Sequence, residues 1–163
     1  MADSIKLTTL ATSIAALSIT VTNARGSSVT LTIDDISALQ KRVKVNQQDC
    51  PLLMPRPDSF VTNFSVTRDT FGADAALKTA TYTLNYIFYF APIGQGVGVF
   101  EKYDEMITAA AIILNHLATN TNLTGSTDIL PESVPAFGAM SDATGTLFHG
   151  CEIALKVQQF MEI

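Results

Sequence analysis

Leu7, Leu10, Ile14 and Leu17 recur at steps of three and four residues, which lays them along one stripe of an α-helix. The pattern predicts an amphipathic helix from about Ser4 to Leu17, with the Ser4 hydroxyl as its N-cap. Ser18 to Thr22 and Ser28 to Ile33 are rich in β-branched residues. Asn23-Ala24-Arg25-Gly26 between them supplies residues that accept positive φ, so the three pieces together signal a hairpin. Asp34 and Asp35 then cap a short helical piece around Ile36 to Gln40. Pro51, Pro55 and Pro57 bracket Leu52, Leu53 and Met54. Proline fixes φ and lacks an N–H, so this segment reads as a stiff, extended surface loop and not as a helix interior or central strand.

Phe60 to Arg68 reads as a strand, and Thr79 to Ala91 as the clearest one in the chain. Tyr82, Leu84, Tyr86, Phe88 and Phe90 alternate there with Thr79, Thr81, Thr83 and Asn85, which predicts one core face and one half-wet face. Pro92 with Gly94, Gly96 and Gly98 stops that strand and opens a loop. A second helix is expected from about Phe100 to Thr119. Its stripe is read as Phe100, Tyr103, Ile107, Ala110, Ala111 and Leu114, with Glu101, Asp104 and Glu105 favouring the N-terminal dipole. Thr119 to Pro135 is polar and reads as loop around one short edge strand. Gly150 to Met161 alternates again as a terminal strand, with Cys151, Ile153, Leu155 and Val157 on one side. This order predicts an α+β fold: an antiparallel or mixed sheet, two main helices packed against it and an N-terminal hairpin, in one domain over residues 1–163. Leu84, Tyr86 and Phe88 are expected beneath the second helix.

Composition sharpens the picture. The chain has 163 residues, enough to bury roughly two-thirds of its unfolded surface. Hydrophobic residues make up 47% and charged residues 15%, against roughly 25% in an average soluble domain, so much of the surface must be uncharged. Such a surface is poorly protected against association and points to an assembly component. The formal charge of -5 disfavours nonspecific binding to nucleic acid, and Lys41, Arg42 and Lys44, the densest basic stretch, read as a solvated turn or strand edge. Cys50 and Cys151 make no disulfide framework, which suits a reducing compartment. Asp3 offsets Lys6, and Thr8, Thr9, Thr12 and Ser13 interrupt any apolar core, so a signal peptide is not expected. No run of 18 apolar residues occurs, so no transmembrane helix is expected.

No catalytic, cofactor or metal site is expected. Gly94-Gln95-Gly96-Val97-Gly98 follows a strand and precedes a helix, but a dinucleotide-binding turn would need glycine where Val99 stands. His116, His149, Cys50 and Cys151 include no close C-x-x-C pair to found a zinc site. No serine sits in a G-x-S-x-G elbow, and the adjacent pairs Asp34-Asp35 and Asp104-Glu105 point in different directions, as caps and solvated faces do. Asn63-Phe64-Ser65 and Asn122-Leu123-Thr124 match the glycosylation pattern but carry no weight without secretion.

Cys50-Pro-Leu-Leu-Met-Pro-Arg-Pro-Asp58, then Phe60-Val61-Thr62, then Thr79 to Ala91 and Pro92-Ile93-Gly94, resembles the tail terminator, or tail completion, proteins of long-tailed bacteriophages. The leading helix, proline segment, aromatic strand, second helix and final strand occur in the family's order over most of the chain. The resemblance implies a virion protein of the tail or neck, assembled in the host cytoplasm, whose copies form a six-membered ring. Its partners would be itself, the tail tube protein and a head-side connector or head-completion protein. It would bind no membrane and no specific nucleic acid, the genome passing through its lumen, and it would have no enzyme activity. Leu52, Leu53, Met54 and Arg56 are the expected protein-interface residues, because prolines lower the entropy cost of holding a contact loop ready. Two other readings stand beside it: another neck or head-to-tail joining protein, and a small ligand-binding or enzymatic domain using the Gly94 to Gly98 loop.

Overall fold

The computed structural model describes residues 5–39, 44–68, 77–94, 101–120, 122–123, 127–133 and 137–162. Two sixteen-residue strands, β6 (Leu77–Pro92) and β9 (Leu147–Glu162), pair antiparallel along nearly their whole length and form the spine of a seven-stranded mixed sheet. Their length follows from sustained alternation. Tyr82, Leu84, Tyr86 and Phe88 stand directly opposite Val157, Leu155, Ile153 and Cys151, so one face is apolar on both strands at once. Four shorter strands flank this spine. On the β6 side lie β5 (Val61–Arg68) and β4 (Leu52–Pro55), and on the β9 side β7 (Thr127–Ser133) and β8 (Phe137–Ser141). A two-residue strand β3 (Thr32–Ile33) runs parallel to β4.

The apolar face is covered by α1 (Leu7–Ala15) and α3 (Tyr103–Thr119), with the separate hairpin of β1 (Thr20–Thr22) and β2 (Ser28–Thr30) beside them. Leu10 and Ile14 of α1, and Met106, Ala110, Ile113 and Leu117 of α3, join Leu84, Tyr86, Phe88 and Leu155 in one core cluster. The fold is therefore α+β, and the three aromatic-strand residues expected beneath the second helix are buried with it. At the β1–β2 turn the Asn23 carboxamide oxygen accepts hydrogen bonds from the Arg25 and Ser27 N–H groups, with Gly26 at φ 82°. α2 (Ile36–Leu39) follows Asp35, whose carboxylate accepts the Ile36 N–H at 2.7 Å.

Several sequence expectations need correction. α1 begins at Leu7 with Lys6 at the N-cap position and no side-chain cap, while Ser4 lies outside the described residues, as do Gln40 and Phe100. The core stripe of α3 is Met106, Ala109, Ala110, Ile113 and Leu117; Ala111 is exposed, and Tyr103, Ile107 and Leu114 are half-buried at its border. The helix is apolar almost all round, so periodicity alone left its rotation open, and the sheet beneath selects the stripe. The proline-bracketed segment is not a surface loop. Its centre is β4, an internal strand between β3 and β6, because Pro51 precedes the strand and Pro55 ends it. The ladder bonds needed in between come from residues that still carry an N–H. β8 was not anticipated. Among the described residues, no helix is long and apolar enough to cross a membrane.

Candidate functional site

The opposite face of the sheet is divided. Near its β4 and β8 end, Leu52, Met54, Tyr89 and Phe148 pack with Val45 into a second, smaller apolar cluster. Beside that cluster opens a cleft of about 590 Å³, floored by Met54, Ile87, Tyr89 and Met140 and rimmed by Arg56, Asp58, Asp142 and Glu152. Of the four residues expected at an interface, Leu52 and Leu53 are fully buried and Met54 is nearly so, all within the subunit's own core. That corrects their assignment as contact residues: alternate side chains of β4 are taken by the two opposite faces of the sheet, Leu53 on the helix side and Leu52 and Met54 on the other. Arg56 alone stays partly accessible, on the cleft rim.

Arg56 is held on three sides. Its backbone N–H donates to Asn85 O at 2.9 Å, its Nε donates to Asp58 Oδ1 at 3.1 Å, and one terminal nitrogen meets Glu152 Oε1 at 3.0 Å. The charge is thus largely matched within the rim. Asp142 closes the β8–β9 turn: its carboxylate accepts from the Thr144 and Thr146 N–H groups, both at 3.0 Å, from the Thr144 hydroxyl at 2.7 Å and from the Val45 N–H at 3.3 Å. Burial raises its pKa, but those donors outweigh it and hold the carboxyl below its usual value. Gly145, at φ 85°, makes that tight return possible. Tyr89 donates to Ser141 O at 3.2 Å, and burial, then the nearby Asp142 carboxylate, pushes its phenol up to about 12.

No family model, no curated protein and no solved structure matches this chain.

The groups weighed for chemistry stand apart. Burial pushes the Cys151 thiol up to about 12, so it stays protonated and unreactive at neutral pH. His149 lies on the same side of β9 and is fully buried, and neither ring nitrogen has a hydrogen-bond partner among the described residues. It therefore forms no thiolate–imidazolium pair with Cys151 there. His116 is half-buried on α3. Among the described residues, no three His, Cys, Asp or Glu side chains gather as a metal site. Gly94 lies just after β6, and Gln95 to Gly98 lie outside the described residues. What the sequence reading missed is the set of large apolar side chains left exposed on the edge strands, Phe64 and Val66 on β5 and Leu130 on β7, and also Phe160 on the internal strand β9. Their signal was visible as apolar residues in strands too polar to be read as core.

Proposed function

We propose that this protein is a non-catalytic structural subunit of a long-tailed bacteriophage that closes into a six-membered ring, ends tail-tube growth and meets the head-side connector. The observation that carries this reading is the exposure of Phe64, Val66 and Leu130 on opposite edges of one sheet in a chain with 15% charged residues. A ring subunit must bury apolar surface on both flanks, and apolar side chains at two opposite sheet edges give it surface to bury there. The Cys50 to Asp58 segment, the aromatic strand β6 and Pro92-Ile93-Gly94, which carry the resemblance to tail terminators, support the same reading. The interface contribution assigned to Leu52, Leu53 and Met54 passes to the sheet edges.

The function is tested in the virus. A variant that folds but cannot assemble should yield tails of uncontrolled length that fail to join heads, because nothing would cap the growing tube. Normal-length tails on filled heads would contradict the proposal.

A further inference from the structure

His149 sits where three strands meet. On β9 it stands opposite Ala91 of β6 and Ala139 of β8, near the end of the β6–β9 ladder. It is fully buried, and neither ring nitrogen has a hydrogen-bond partner among the described residues. No bond therefore explains an imidazole here, and an apolar side chain would fill the same space without a desolvation cost. The start of α3 comes close to this site. The Glu101 side chain rests on Gly94, just after β6, where an added Cβ would fall on its Oε1 atom. Glu101 and Glu105 are the charged groups that act on the ring, Glu105 standing 3.8 Å from Lys102 Nζ. The ladder neighbours Ala91 and Ala139 are uncharged, and the Cys151 thiol two residues on stays protonated.

Taking up a proton gives the ring a charge and two N–H donors in a place that offers neither nitrogen an acceptor. The two carboxylates favour that charge, but burial opposes it more strongly, so the closed site resists the proton and an open one accepts it. The surroundings make a local opening easier than unfolding the sheet. The β6–β9 register is irregular between Tyr89 and Ala91, and α3 starts at Lys102 without a side-chain cap. The backbone bonds nearby are Ile93 N–H to Leu147 O and Met106 N–H to Lys102 O, both 3.0 Å. We propose that His149 is a proton-operated release: a proton on its ring drives it from its site and frees Glu101 and the first turn of α3 from the end of the β6–β9 ladder, while the rest of the sheet stays closed. This device is independent of the ring reading and stands without it.

Amide hydrogen exchange of the purified protein at stepped pH tests it, with protection factors used so that the intrinsic pH dependence of exchange drops out. Between about pH 7 and pH 5 the Ile93 and Met106 amides should lose at least about tenfold in protection, while the Arg56 and Asn85 amides beside the middle of β6 keep theirs. In His149→Leu the drop at Ile93 and Met106 should vanish. Glu101→Gln removes a carboxylate that favours the charged ring, so its release should move to lower pH, and this variant carries the test if His149→Leu fails to fold. Unchanged protection in the parent protein, an equal loss at Arg56 and Asn85, the same drop in a folded His149→Leu, or a Glu101→Gln release that does not move to lower pH would each overturn the proposal.

Discussion

Tyr86 carries a cost that its position makes visible. Its ring is fully buried and meets Phe60 edge-on at 5.4 Å, yet its hydroxyl has no partner among the described residues. A buried hydroxyl without a bond costs about 1–3 kcal/mol in desolvation, so Tyr86→Phe should keep or raise the melting temperature. A fall of several degrees would show that the hydroxyl is bonded. His149 makes a pH-dependent case of the same kind. Burial holds its pKa below the ordinary 6.5, although the Glu101 and Glu105 carboxylates pull upward. The unfolded chain takes up this proton near pH 6.5 and the folded chain only at lower pH, so in between the unfolded state binds more protons. Stability from this residue is therefore full above about pH 6.5 and falls as pH drops through that window. His149→Leu should flatten that part of the stability curve in urea titrations at stepped pH; a variant with the same slope as the parent would refute the assignment.

Strands β6 and β9 show what an element must do to hold this sheet together. At Gly150 the two approach so closely that an added Cβ would lie against the Phe88 carbonyl oxygen, a backbone atom that cannot swing aside. Gly150→Ala should thus destabilise the protein by more than the loss of glycine flexibility would suggest, with a clear drop in urea midpoint. Phe88, fully buried at the same crossing, should cost about 3–5 kcal/mol on change to alanine, measured the same way. A Phe88→Ala protein melting at the parent temperature would place the core elsewhere. Both long strands were legible from the sequence because alternation is a local signal that extends over many residues. β4 was not, since three prolines in seven residues looked like a loop and only the pairing of Leu52 to Pro55 with Tyr89 to Tyr86 shows that they sit at its ends. β8 was hidden for a related reason: Phe137-Gly-Ala-Met-Ser141 has weak strand character and is held by β9. The rotation of α3 was equally unreadable, because a helix apolar on most sides takes its buried stripe from whatever it packs against.

For the whole molecule, the proposed contact surface could not be placed from the sequence. Low charge pointed to association, but the residues first favoured for contact, Leu52, Leu53 and Met54, are consumed by the subunit's own core. Which apolar side chains remain outside is decided by sheet topology, since β5 and β7 become edges only once β6 and β9 have paired. The central claim is that the subunit is incomplete alone and closes into a ring. The most direct measurement is the native mass of the purified protein over a wide concentration range, with negative-stain images of the same sample. The account predicts closed rings with a mass six times the 17.5 kDa subunit. A single 17.5 kDa species at every concentration, with no rings in the images, would contradict it.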